Sequence, residues 1–178
     1  MRIVAGSARG RPLVAPRSLS TRPTSDKVRA AIFNLLGQFF EGGRVLDLYA
    51  GTGALALEAL SRGCERALCV EHDRAAAELI LRNAAACGFL ERVEVRRAQV
   101  EAALPRLAGG AFTLCLLDPP YALGPGAALA LLGPALGPGA TVVAEHDVRH
   151  PPPETVGDLA LVDRRSYGDS GVSIYRLA

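Results

Sequence analysis

The run Asp118-Pro119-Pro120-Tyr121 places a carboxylate, two prolines and an aromatic ring directly after the apolar stretch Phe112 to Leu117. Prolines at this position stiffen the turn and remove two backbone donors, so carbonyl oxygens remain to accept hydrogen bonds from an amine. An amine attached to an aromatic base is a poor nucleophile because its lone pair is drawn into the ring. If Asp118 and the Pro119 carbonyl accept its two hydrogens, the nitrogen can pyramidalise and aim that lone pair at an electrophilic carbon. Tyr121 would stack on the ring. The plainer use of the same residues is to stop a strand, as Asp and Pro often do.

A second group surrounds a glycine turn. Val45-Leu46-Asp47-Leu48 runs into Tyr49-Ala50-Gly51-Thr52-Gly53 and then into a helical pattern. Glycines clear the backbone for a ligand, and the helix beyond offers unsatisfied N–H groups. Glu71 lies twenty residues after Gly51, at the end of the next apolar stretch, where a carboxylate can accept from two ribose hydroxyls. Gly51, Gly53 and Ala56 also satisfy the dinucleotide fingerprint, so the turn alone suits either NAD or S-adenosylmethionine. Asp47 tilts the choice, since a carboxylate beside the loop suits a sulfonium and an amino group better than a pyrophosphate. His72, next to Glu71, borders the same pocket or lies on the surface.

These groups need a parallel sheet to bring them to one edge. Strands are expected over Val45 to Leu48, Arg66 to Glu71, Val93 to Arg96, Phe112 to Leu117 and Thr141 to His146, alternating with helices over 54–61, 73–86, 100–107 and 123–136. This is the pattern of βαβ units. Leu159 to Asp163 and Val172 to Leu177 read as a closing antiparallel pair. The total is a mostly parallel seven-stranded sheet with helices on both faces, a Rossmann-like α/β fold. Ahead of it, Ile3 to Ala5 and Pro12 to Ala15 flank a turn-rich segment and read as a small hairpin. Ser25 can cap a helix continuing to Phe39. The expected division is a basic extension over 1–40 and a Rossmann-like domain over 41–178.

Charge is unevenly spread. The first 29 residues hold seven basic side chains against Asp26 alone, and the remaining 149 hold thirteen basic against seventeen acidic. A basic arm on a mildly acidic body suits a polyanion. No run of about 18 apolar residues occurs and the first ten residues lack a signal-peptide core, so a soluble cytoplasmic protein is expected. Cys64, Cys69, Cys87 and Cys115 sit in apolar patterns without C-x-x-C spacing, which points to reduced core residues. His72, His146 and His150 have no metal-ligand spacing, and no metal is expected.

With these motifs together, the chain resembles the bacterial family of 16S ribosomal RNA guanine-N2 methyltransferases. The likeness runs from Arg2-Ile3-Val4-Ala5-Gly6 and Arg9-Gly10-Arg11 through Arg22-Pro23-Thr24-Ser25-Asp26-Lys27-Val28-Arg29. It continues through Asp47 to Gly53, Leu57 to Gly63, Glu71 and Asp118 to Tyr121, and ends at Tyr167-Gly168 and Ile174-Tyr175. The resemblance implies a class I methyltransferase fold and S-adenosylmethionine as cofactor, held by Asp47, Tyr49, Ala50, Gly51, Thr52, Gly53, Glu71 and His72. It puts Gln99 and Val100 beside the adenine, although Gln99 departs from the Asp or Asn of many relatives. It further implies that Asp118, Pro119, Pro120 and Tyr121 carry out the transfer. Arg2, Arg9, Arg11, Arg22, Lys27 and Arg29 would engage 16S ribosomal RNA within a small-subunit particle.

Rival readings are a DNA adenine-N6 methyltransferase and a protein-glutamine methyltransferase, whose amines fit the same turn. Too few residues follow Leu123 for a DNA-recognition domain, and the basic arm disfavours a protein substrate. An NAD-dependent dehydrogenase has no evident use for Asp118 to Tyr121. Glu145 ends the fifth strand, where a polar contact to the target base is conceivable, and its sequence neighbours do not decide its role.

Overall fold

The computed structural model describes residues 1–16, 26–109 and 111–178. Among them, eight strands form one sheet in the order β3-β2-β1-β4-β5-β8-β7-β6. Strands β1 (Arg44–Leu48), β2 (Arg66–Glu71), β3 (Val93–Arg97), β4 (Phe112–Leu117) and β5 (Leu136–Asp147) are parallel neighbours. Strand β8 (Ser170–Leu177) pairs antiparallel to β5, and β7 (Leu159–Tyr167) pairs antiparallel to β8. The order reverses direction at β1, with β2 on one side and β4 on the other. This is the point where α/β sheets open a crevice at their carboxyl edge.

The fold class is therefore the one expected, and the strand count is corrected from seven to eight. The addition is β6 (Thr155–Val156), which pairs with β7 just beyond the three prolines. Two helix expectations are shortened for visible reasons. The helix at 100–107 is α4 (Val100–Ala103) followed by a 3-10 turn over Leu104–Leu107 that accommodates Pro105. The one at 123–136 is α5 (Gly126–Leu132) and a 3-10 turn containing Pro134. Proline lacks the donor and sterically blocks the preceding turn.

Helices cover both faces. The side carrying α2 (Ala54–Ser61) and α3 (Arg74–Cys87) buries Leu57, Leu60 and Ile80 against Val45, Leu116 and Val143. The opposite side packs α4 and α5 onto Leu46, Leu48, Cys115 and Leu117. All four cysteines are buried and free, and burial pushes the Cys64 thiol up to about 12.

The N-terminal residues join the first of these cores. Ile3, Ala8 and Leu13 pack with Val28, Ile32 and Phe33 of α1 (Asp26–Leu36) against the α2 side. The expected hairpin forms as a short pairing centred on the antiparallel bridge between Arg2 and Pro12, with Ile3 and Leu13 donating to the carbonyls of Arg11 and Met1. Side chains of the helices also hold the segment. Glu58 of α2 accepts from the N–H groups of Val4 and Ala5 at 2.8 and 3.0 Å. Ser61 accepts from Ala8 and donates to the carbonyl of Ala5. Asn83 of α3 exchanges two hydrogen bonds with Val14. Gly6 has no room for a side chain, because a Cβ there would lie 1.8 Å from the Ser61 carbonyl oxygen.

α1 ends at Leu36, where Gly37 turns left-handed at φ 91°. Phe39 was expected on the apolar stripe of this helix and is instead 66 % exposed beyond it. Arg29 of α1 is fully buried, donating to the carbonyl of Arg2 and to Asp26, with its Nε 3.6 Å from Glu58. Glu58 also accepts from Arg62 at 2.8 Å. Its carboxylate thus joins two buried cations and two backbone donors. Glu58→Ala leaves those cations without their counter-charge and is expected to lower the unfolding free energy by about 3–5 kcal/mol. Urea unfolding measures this, and a loss below about 1 kcal/mol would contradict the role given to Glu58.

Candidate active site

β1 delivers the chain into a left-handed turn, with Tyr49 at φ 61°, Gly51 at φ 56° and Gly53 at φ 76°. A non-glycine residue in this region is strained by about 1–3 kcal/mol and persists where its surroundings fix it. Two contacts do so here. The Tyr49 hydroxyl donates to Glu101 of α4 at 2.6 Å, and burial together with that carboxylate raises the phenol above its usual pKa. The Ala50 N–H donates to the carbonyl of Val70 on β2. Thr52 is buried and its carbonyl accepts from Asn83.

A Cβ at Gly53 would press on Ile80 at 3.0 Å. That glycine serves close packing between turn and helix. At Gly51 the nearest atom to such a Cβ is the Tyr49 carbonyl oxygen at 3.9 Å. The backbone of Gly51 is therefore uncrowded, and a ligand can approach it.

Glu71 ends β2 and is 7 % exposed. One oxygen accepts from the N–H of Gly51 at 2.9 Å, and the other from that of Asp73 at 2.9 Å. The second oxygen also lies 3.2 Å from Nδ1 of His72, whose side chain is largely exposed. A carboxylate offers about four acceptor positions. Glu71 therefore fixes the glycine turn and retains capacity on the oxygen facing Gly51. His72 can swing outward to release more.

Asp47 is seated beneath the turn and has no exposed surface. One oxygen accepts from Ala56 in the first turn of α2 at 3.0 Å, supplying the cap that Gly53 at the N-cap cannot. The other has no hydrogen-bond partner among the described residues. Burial raises its pKa well above the usual carboxylate value, and the nearby Asp118 and Glu71 raise it further. The expected carboxylate beside the loop is present, but it faces the loop from within the core.

Asp118 follows β4 at the same carboxyl edge and is half-buried. Its N–H points to the carbonyl of Leu48, the residue before the glycine turn, at 3.4 Å. The turn's own bonds, from Leu123 and Gly124, go to the carbonyl of Pro120. Pro119 is buried and Pro120 exposed. Tyr121 is 42 % exposed, with its hydroxyl 2.6 Å from Ser170, and Ser170 donates to Glu145 at 2.9 Å. The structure thus brings Asp47, Tyr49 to Gly53, Glu71, His72 and Asp118 to Tyr121 to one edge of the sheet. Gln99 caps α4 without a side-chain bond and is exposed, while the Val100 side chain belongs to the core.

Three contributors had no motif to announce them. Ser170 is a serine in a hairpin, Asn83 lies on the helix α3 and Glu101 on α4. Only the juxtaposition of distant segments reveals them. Of the basic residues, Arg2, Arg9, Arg11 and Lys27 are exposed, and Arg22 lies outside the described residues. Arg29 is corrected: with no exposed surface and its charge engaged inside the fold, it cannot meet a polyanion.

The chain matches the model of a family described as Conserved hypothetical protein 95 over residues 1–176. It is 42 % identical to a Bacillus subtilis protein provisionally named rRNA methyltransferase YlbH, covering 99 % of this chain and 98 % of that one. It is 45 % identical to the Ribosomal RNA small subunit methyltransferase D of Escherichia coli over 48 % of this chain and 43 % of the other. Among solved structures, the Escherichia coli protein yhhF, described provisionally as a methyltransferase, superposes with a TM-score of 0.88. That pair is 29 % identical and covers 99 % and 97 % of the two chains.

The buried Asp47 carries a pH signature. Its folded pKa is raised above the ordinary 3.8, so the unfolded chain ionises first and unfolding releases a proton. Stability therefore falls as pH climbs from the ordinary value through the raised one. Asp47→Asn keeps an acceptor for Ala56 and removes the ionisation. The stability of this variant relative to the native protein is expected to grow as pH rises from about 4, and a difference independent of pH would refute the assignment.

Proposed function

Because the chain belongs to the Conserved hypothetical protein 95 family and its relatives make it a methyltransferase, we propose that it methylates ribosomal RNA. The reaction we infer is transfer from S-adenosylmethionine to the exocyclic N2 amine of a guanine in the 16S RNA of the small subunit. The observation that carries this reading is Asp118-Pro119-Pro120-Tyr121 at the sheet edge shared by the glycine turn and Glu71, with the Asp118 N–H directed at the residue before that turn. The rRNA methyltransferase names of the relatives supply the substrate class, and the Escherichia coli relative the small subunit.

The residues around the turn suit the cofactor. Glu71 has acceptor capacity for ribose hydroxyls, increased when His72 turns away. Gly51, with Tyr49, Ala50, Thr52 and Gly53, lets the backbone approach the ligand. Asp47, with one buried oxygen unpartnered, lies under the loop where a positive charge would favour its ionised form. The adenine would meet the backbone of Val100, while Gln99 is exposed and free to turn toward it. When bound, the cofactor would supply an electrophilic methyl on a cationic sulfur able to take back the C–S electron pair, so that the chain need only present the amine lone pair in line with it.

The chain's own part is to prepare that amine. Asp118 and the Pro119 carbonyl accept its two hydrogens, and Pro120 and Tyr121 shape the turn, with the Tyr121 ring stacked on the base. Once the bond has formed the nitrogen sheds a proton, with Asp118 as the nearest base. No covalent enzyme intermediate arises.

The target base must leave its stack to reach the sheet edge, at a cost of a few kcal/mol. Contacts to phosphates offset that cost. Arg2, Arg9 and Lys27 line one groove together with Asp26, and Arg9 also borders a second groove beside the exposed Phe39. We read residues 1–40 as the RNA-contacting portion, with Arg11 and Arg22 adding charge, and 41–178 as the methyltransferase portion. The reading carries with it a cytoplasmic location; among the described residues no helix is long and apolar enough to cross a membrane.

Methyl transfer from labelled S-adenosylmethionine to RNA or small subunits lacking the modification is expected to yield N2-methylguanosine. Methyladenine in DNA, or no transfer to nucleic acid, would overturn the reading. Asp118→Ala is expected to cut turnover about 10²- to 10³-fold while cofactor affinity stays nearly unchanged, and equal loss of both would remove Asp118 from the chemistry. Each phosphate neutralised contributes about −0.7 to the slope of log affinity against log salt for single-stranded RNA. Replacing Arg2, Arg9 and Lys27 by Ala should flatten the slope by about two units if all three engage, whereas an unchanged slope would move the RNA elsewhere.

A further inference from the structure

The geometry points to Glu145 as the residue that selects guanine, by accepting the base's N1–H while Asp118 accepts from the neighbouring N2 amine. This rests on the methylation reading above and extends it to base recognition. β4 and β5 are parallel, with Leu117 opposite Ala144. The next residue on each strand is Asp118 and Glu145, so two carboxylates leave adjacent strands, ~4.8 Å apart, at the same edge. Leu116 and Val143, two residues earlier, both face the α2 core. Side-chain alternation therefore directs Asp118 and Glu145 to that same side.

The aromatic face is tied to the second carboxylate. The Ser170 hydroxyl has one proton and gives it to Glu145 at 2.9 Å. The Tyr121 hydroxyl, 2.6 Å from the same oxygen, must then donate to Ser170. Tyr121, Ser170 and Glu145 thus form one directed chain, and the carboxylate's orientation is fixed relative to the ring. A base that stacks on Tyr121 presents its edge to carboxylates, which a flipped base is read by. Glu145 is buried, at 5 % exposed, so a base edge brought to it meets a carboxylate removed from bulk water.

Guanine has two donors side by side on that edge, N1–H and the N2 amine. Adenine carries an amine beside a bare N1, which is an acceptor. Against a buried carboxylate such an acceptor leaves both partners unsatisfied, and sites built to bond a particular group reject analogues lacking it strongly. A second carboxylate beside the amine acceptor therefore discriminates where Asp118 alone would not.

The test compares guanine with 2-aminopurine at the target position of the RNA. The analogue keeps the N2 amine but has an acceptor at N1. The native protein is expected to prefer guanine in kcat/KM by about 100-fold or more. Glu145→Gln, whose amide can donate to N1, should reduce that ratio at least about tenfold while cofactor affinity is retained. Should this variant not fold, Ser170→Ala, which releases the carboxylate from its fixed orientation, should reduce the ratio in the same direction. A native protein indifferent to the analogue, or a folded variant with the native ratio, overturns the assignment. Failure of the native protein to methylate guanine-containing RNA at all would instead overturn the parent reading.

Discussion

The carboxylate of Glu58 is the constraint on which the arrangement of this molecule depends. It is buried on α2, and it binds the backbone of Val4 and Ala5, the guanidinium of Arg62 and, at longer range, that of Arg29. A charge removed from water is tolerated only when paired and hydrogen-bonded, so the N-terminal segment, α1 and α2 must come together for Glu58 to be accommodated. The consequence reaches beyond stability. The sequence's basic end is fastened to the same face of the sheet toward which Asp118 and Glu145 are directed. In the proposed reading, the RNA-contacting arm and the reacting edge are thereby joined through one side chain that touches neither ligand.

The carboxyl edge gathers four carboxyl groups, those of Asp47, Glu71, Asp118 and Glu145. In water-filled surroundings four carboxylates would be unremarkable, but Asp47 is wholly enclosed and feels two of the others. Such a site disfavours an anion and favours a cation, which suits the proposed sulfonium cofactor better than a pyrophosphate. The exposed cations Arg2, Arg9, Arg11 and Lys27 of the arm provide the opposite field, one that suits a polyanion. Under the proposed function, charge sorts the two ligands: a cationic donor to the sheet edge and a polyanion to the arm.

Much of this was legible in the sequence because it is local. A strand entering glycines and a strand ending in Asp-Pro-Pro announce themselves by periodicity and turn chemistry, and both lie where expected. The two-residue strand β6 had no comparable signal; it exists because β7 offers an edge after the proline run. Arg29 illustrates the opposite failure. The family resemblance, on a segment that charge counting marks as basic, puts it among the RNA-facing residues, yet its neighbours in space, the carbonyl of Arg2, Asp26 and Glu58, draw it inward. Phe39 errs the other way, since Gly37 ends the helix before the apolar stripe reaches it. Composition cannot distinguish a buried arginine or an exposed phenylalanine from the usual kind; only tertiary partners do.

Under the proposed base recognition, function depends on a residue with no motif, Ser170. Its position is set by the tight connection between β7 and β8, where Tyr167 pairs with Ser170 and Gly171 lies against the buried His146. A side chain at Gly171 would meet that ring at 2.2 Å, so the strand can approach β5 closely only with glycine there. This approach brings the Ser170 hydroxyl between Glu145 and Tyr121. The antiparallel strands that close the sheet therefore do more than cover an edge: they carry the group that aligns a carboxylate with an aromatic face. A parallel sheet ending at β5 would hold both residues without fixing their relation, and it is that relation which a planar base, recognised by face and edge together, requires.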